Sequence, residues 1–272
     1  MAKREANPSR RVSFGPAGWL GRVLALIPVV AGLLLPARAG AQTPGEQIPN
    51  AERARIVSAV RSNELFRLMR QLTGEEALVS NGKPAFITTR HTTSGQPLRL
   101  ALNFAAEAFA ASGLAVEFRG WSRASYTNRN LLATQPGTLR AGEFIWFTAH
   151  LDVRSLEARA PGADDNASGC AAVLMAARVL SQYQFARSIR YVLFTGEEQG
   201  ALGSAVEAER ARAAGERIAG VINADMIAWD RRGPPVLRIV TRTITHGQFP
   251  QDLALASAVT NVIQAYGLAG EL

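Results

Sequence analysis

The sequence predicts a three-layer α/β/α sandwich around a mixed, largely parallel central sheet. Two observations carry this. In the middle of the chain, short apolar runs of strand length alternate with helical patterns, the signature of strands joined by crossover helices. The 272 residues are 47% hydrophobic, enough for one sizeable core.

The elements follow in chain order. Residues 52–72 space Ile56, Val60, Leu65, Leu68 and Leu72 on one helical face. Residues 73–97 are rich in Gly, Thr and Ser and read as loop. Residues 98–112 read as a second helix stopped by Gly113. Strands are expected at 114–118 and 130–134, the latter followed by the turn Pro136-Gly137. Then come a buried strand at 144–149, an Ala-rich apolar helix at 167–180 and a strand at 189–195. An exposed helix at 204–214, strands at 218–224 and 236–241, and a helix at 253–266 complete the pattern.

Residues 1–41 read as a cleavable export signal. Lys3, Arg4, Arg10 and Arg11 precede the apolar run 23–35, and Ala39-Gly40-Ala41 offers a small-residue cleavage site. The run is too short and broken to make a comfortable membrane span. Residues 42–51 read as a linker and 52–272 as one catalytic domain, placing the protein in the periplasm or outside a bacterial cell. Of the formal charge of +8, +5 lies in residues 1–41, so the basic balance is a targeting feature and not a nucleic-acid footprint. The single cysteine, Cys170, excludes an internal disulfide and a Cys-based zinc site.

The central strands end in chemistry. The first ends in Thr148-Ala149-His150-Leu151-Asp152, the second in Thr195-Gly196-Glu197-Glu198, the third in Asn223-Ala224-Asp225. Between the first two lies the tight loop Gly162-Ala163-Asp164-Asp165-Asn166. In a parallel sheet these ends converge on one edge, where such folds bind ligands. Carboxylates crowded there repel unless cations neutralise them. An imidazole with several carboxylates suits zinc, or manganese or cobalt in its place.

With these motifs in this order, residues 130–229 resemble the M28 family of co-catalytic zinc peptidases. The resemblance implies a zinc-exopeptidase fold, two zinc ions and peptide substrates cleaved by a metal-activated water. It implies His150, Asp165, Glu198 and Asp225 as metal ligands, with Asp165 bridging. It implies Glu197 as general base, Asp152 as the acid orienting His150, and a cis peptide at Asp165–Asn166. Asp164 and Asn166 are expected as turn and cap residues, Gly196 as a turn, and Trp121, Trp146 and Trp229 as packing. The family's last histidine ligand is expected beyond Leu272; His246, in a Thr-rich turn, and His91, in the early loop, are not taken as ligands. The family scaffold is also similar to that of glutaminyl cyclases, and a catalytically incomplete member is the non-enzymatic alternative.

Overall fold

A computed structural model describes residues 50–80, 82–228, 237–265 and 270–271. The expected signal (1–41), the linker through residue 49, Trp229, the start of the strand at Val236 and the helix end at Tyr266 lie outside the described residues.

The chain enters through α1 (Asn50–Ser58) and α2 (Ser62–Leu72). The single helix expected over 52–72 is therefore two, and its start takes in residues assigned to the linker. The reason lies in the spacing. Val60 to Leu65 is a five-residue step, about 140° off a helical face at 100° per residue. A break at Arg61, in extended conformation (φ −103°, ψ 119°), lets both residues face inward. The region 73–97, expected as loop, contains the short hairpin β1 (Leu78–Ser80) and β2 (Lys83–Ala85) before α3 (Gln96–Ala111) begins.

The long hairpin β3 (Ala115–Arg123) and β4 (Tyr126–Gln135) leads to β5 (Arg140–His150). A π-turn, Ala163–Ser168, runs directly into α4 (Gly169–Leu180). Then follow β6 (Arg187–Phe194), α5 (Leu202–Ala213) and β7 (Arg217–Asn223). Beyond them lie β8 (Leu237–Arg238), α6 (Phe249–Ala265) and β9 (Gly270–Glu271), with β8 pairing β9 in parallel.

The five-stranded sheet has the order β3-β4-β6-β5-β7. Strand β5 is parallel to β6 and β7, whereas β4 is antiparallel to both β6 and β3. Four of the five strands therefore point the same way, and only β4 runs back. One face is covered by α2, α3 and α4, whose apolar residues join those of the sheet in the main core. Helix α4 can sit at its centre because all its residues except Arg178 are buried. The opposite face carries α5 and a smaller cluster of Leu132, Trp146, Val192 and Ala211. On that face Arg190 lies over the Phe144 ring at 4.3 Å and pairs with Glu216, which also accepts the Trp146 indole N–H at 2.9 Å. Trp146 is thus a packing residue, as expected. The described helices include none long and apolar enough to cross a membrane.

Candidate metal centre

The co-directed strands bring their carboxyl ends to one edge, where His150, Asp165 and Asp225 meet. His150 closes β5 with its ring almost wholly buried. Its Nε2 lies 3.0 Å from Oδ1 of Asp165 and 3.4 Å from Oδ1 of Asp225. These three residues offer ligand atoms all within 4.8 Å of one another. Zinc bonds of about 2.0–2.1 Å in tetrahedral array set ligand atoms roughly 3.3 Å apart, so the spacing suits such an ion.

The tautomer sharpens this. The Nδ1 of His150 lies 3.2 Å from the backbone carbonyl of Asp152, an acceptor, so Nδ1 carries the proton in the neutral ring. The Nε2 lone pair then faces two carboxylate oxygens. Three acceptors aimed at one point repel unless a proton or a metal ion lies between them. Burial alone would lower the pKa of His150; the hydrogen bond to Asp225 and the charges of Asp152, Asp225 and Glu197 overcome it and raise the imidazole to about 9. The donor set fits a divalent cation, which takes the place of that proton.

The carboxylate of Asp152 does something else. It is fully buried, and its oxygens accept the backbone N–H groups of Glu197 at 3.2 Å and Glu198 at 3.1 Å, and the Thr92 hydroxyl at 3.1 Å. The nearest approach of its carboxylate to Nδ1 is 3.8 Å, beyond hydrogen-bond range. Asp152 therefore meets the ring through its carbonyl and fixes the Glu197-Glu198 turn through its carboxylate.

That turn leaves β6 through Gly196, at φ +75°. A Cβ there would lie 2.5 Å from a ring carbon of Trp121, whose indole N–H donates to Thr195 Oγ1 at 2.9 Å. Glu197 and Glu198 both have raised carboxyl pKa values, first because of burial. Among the charges that add to this, Asp152 and Asp225 act on Glu197, and Asp165 acts on Glu198. Glu198 is not in the group of three that converges on His150. It stands beside that group, close enough for Asp165 to be its strongest charged influence.

Asp165 and Asp225 are held in register by the side chains around them. The Asp165–Asn166 peptide is cis, as the resemblance implied. Asn166 accepts the N–H of Gly169 at the start of α4 and donates to the Ala224 carbonyl at 2.9 Å, one residue before Asp225. Asp164 Oδ1 accepts the Ala228 N–H at 2.9 Å, and Ser168 Oγ accepts that of Ile227 at 3.2 Å. Asp164 and Asn166 act as turn and cap residues here, as expected, and they tie the two acidic segments together.

Sequence reasoning missed Arg90. It is fully buried, and its guanidinium donates to the carbonyls of Leu151 at 2.7 Å, Pro161 at 2.8 Å, Gly162 at 2.9 Å and Leu72. It thus joins the end of α2, the residue between His150 and Asp152, and the entry to the Asp165 turn. Burial lowers its pKa, while the charges of Cys170, Asp152 and Asp165 act to raise it. Gly162, at φ +50°, leaves room for it; a Cβ there would meet Val153 Cγ1 at 2.3 Å and the Asp165 carbonyl oxygen at 2.5 Å.

The other two histidines lie outside the group. His91 is buried: its Nδ1 accepts the Thr93 N–H at 3.1 Å, and its Nε2 faces the Gln199 amide at 3.5 Å. With Nδ1 accepting, Nε2 carries the proton, which puts the oxygen of the Gln199 amide toward it. His246 sits in an exposed turn, accepting the Gln248 N–H.

Comparisons with known proteins place the chain among peptidases by sequence and fold. A stretch of 115 residues is 36% identical to leucine aminopeptidase 1 of Arthroderma otae and covers 39% of this chain and 30% of that protein. Another, of 103 residues, is 37% identical to a probable zinc metalloprotease of Pyricularia oryzae, covering 36% of this chain and 20% of that one. The chain thus spans less than a third of the length of these relatives. Among solved structures, the Legionella pneumophila LapA aminopeptidase superposes with a TM-score of 0.54 at 18% identity, over 72% of this chain and 50% of that one. Porphyromonas gingivalis glutaminyl cyclase does so with a TM-score of 0.50 at 20% identity, over 62% of this chain and 60% of that one. At such identities these two likenesses speak for the fold alone. The model of peptidase family M28 matches residues 130–267, the stretch that runs from β4 through the converging strand ends, and the chain belongs to that family.

Proposed function

We propose that this protein is a secreted zinc exopeptidase that removes N-terminal residues from peptides, with two ions at the edge of the sheet. The observation that carries the reading is the convergence of the His150 Nε2 lone pair with carboxylate oxygens of Asp165 and Asp225. His150, Asp165, Asp225 and, beside them, Glu198 are the residues that would hold the ions. Divalent ions held there supply Lewis-acid activation of water and of a peptide carbonyl.

The chain's own residues do the rest. Glu197 is the base: its carboxylate takes a proton from the attacking water and passes it to the departing amine. Asp152 keeps the Glu197 backbone in place, and the buried Asp152 carbonyl keeps Nδ1 of His150 protonated so that Nε2 faces the acids. The surplus of carboxylates favours a substrate's free α-amino group, which directs cleavage to the N-terminus. Residues 1–41 serve as the export signal. The relatives at 36% and 37% identity are named as peptidases, which favours hydrolysis over cyclase chemistry on this scaffold.

The test is the zinc-loaded full chain assayed on leucine anilide, with metal analysis in parallel. Turnover that a chelator removes and zinc restores is expected. Glu197→Gln is expected to abolish turnover and keep the metal, whereas Asp165→Asn loses both. Equal metal loss from the two variants would overturn the assigned roles. Background activity in a fully loaded protein would overturn the enzyme reading in favour of a catalytically incomplete family member.

A further inference from the structure

A cavity of about 570 Å³ lies beside the acidic centre, between the β3–β4 hairpin and the start of α3. The residues lining it include Arg99 and Arg129 and no acid. Neither arginine has a carboxylate within ion-pair distance among the described residues. Arg129 lies with its guanidinium 4.2 Å from the centroid of the Phe118 ring. Stacking covers one face of the fork and leaves its N–H edges to grip a planar anion in bidentate fashion. Gly95 caps α3 without a side-chain hydrogen bond, so the first-turn N–H groups of Gln96 and Leu98, Pro97 having none, add positive potential at this end of the cavity.

The cavity wall is also a wall of the centre. Thr92 and Thr93 line it, and the Thr92 hydroxyl donates to Asp152 while its carbonyl accepts the Asn128 amide at 2.8 Å. His91, in the same loop, faces Gln199 next to Glu198. In the strand order, β4 stands two places from β5, which carries His150. At about 4.8 Å per strand that is roughly 10 Å, the length of some three residues of extended peptide at about 3.3 Å each. The backbone of Arg129 on β4 and that of His150 on β5 are thus separated by about the span of a short peptide, with Thr92 between the cavity and the centre.

We infer that this cavity receives a carboxylate about three residues from the substrate's amino end, which makes short zwitterionic peptides the preferred substrates. The inference rests on the aminopeptidase reading and adds the substrate class to it. The amino group lies toward the acids, and the carboxylate lies between Arg99 and Arg129. The carboxylate comes from the C-terminus of a tripeptide or from an acidic side chain at the third position.

The test compares the zinc-loaded full chain on Leu-Gly-Gly, on Leu-Gly-Gly amide and on Leu-Gly-Asp amide. A KM about tenfold lower for the free acid than for its amide is expected, on the scale of hydrogen bonds to charged groups. In Arg99→Gln/Arg129→Gln the ratio falls toward one, and in Arg129→Lys part of it remains. Both KM values come from one preparation, so a loss of folded protein leaves their ratio unchanged. A lower KM for Leu-Gly-Asp amide than for Leu-Gly-Gly identifies the side chain as the source. Equal KM for acid and amide in the unmodified chain overturns the inference and leaves the aminopeptidase reading standing. Should no peptide be cleaved, calorimetric titration of the same tripeptides decides. Tighter binding of the acid keeps the carboxylate site and removes the peptidase reading, and no difference removes both.

Discussion

Asp152 presents its backbone carbonyl, not its carboxylate, to Nδ1 of His150, at 3.2 Å against 3.8 Å. The ring and the Glu197-Glu198 turn are therefore held by two different parts of one residue. Asp152→Asn keeps the carbonyl and one side-chain acceptor but loses the charge. Zinc content is expected to persist while turnover falls about 10- to 100-fold, the usual scale for partners of metal ligands. Metal analysis alongside kcat checks this, and loss of zinc in this variant would show that the carboxylate, not the carbonyl, governs His150.

Arg90 is a buried cation whose partners are all carbonyls. Arg90→Met leaves those oxygens buried and unpaired, at a cost of roughly 3–5 kcal/mol. Urea unfolding of the metal-free variant is expected to show that loss. A change below about 1 kcal/mol would mean that water reaches the carbonyls.

On the proposed reading, zinc binds the folded chain in preference to the unfolded one and stabilises it by mass action. At free zinc a hundredfold above its Kd the gain is about 2.7 kcal/mol, which for a chain of this size raises Tm by roughly 5–10 °C. Differential scanning calorimetry with and without chelator reads it. His150→Ala is expected to erase the shift, because it removes the nitrogen on which both acids converge.

Cys170 sits at the first turn of α4 with its thiol donating to the His150 carbonyl at 3.0 Å. Burial pushes its pKa up to about 12, so almost no thiolate exists near neutrality. A thiol reagent at pH 8 is expected to leave the native chain unlabelled and to modify the single thiol once denaturant is added. Rapid native labelling would mean that the helix start opens.

Much of the centre was legible because a parallel sheet gathers strand ends, and His150, Asp165 and Asp225 each follow or border an apolar run of strand or helix length. The Glu197-Glu198 pair was legible from the glycine that turns the chain after a buried strand. Arg90 was not. A lone arginine in a Thr-rich loop looks solvated, and its burial depends on carbonyls at residues 72, 151, 161 and 162, which no local pattern links. The carbonyl role of Asp152 was hidden for a related reason, since every residue type carries the same backbone acceptor. The hairpin of β1 and β2 escaped because three-residue strands are too short to show a period.

The three converging groups are 15 and 60 residues apart along the chain, and the β5–β7 pairing and the Asn166–Ala224 hydrogen bond are among the contacts that make their segments neighbours. During synthesis, a nascent chain halted before Asp225 offers an incoming ion no more than two of them. On the proposed reading, all three groups can hold an ion only after β7 and the segment carrying Asp225 have been made.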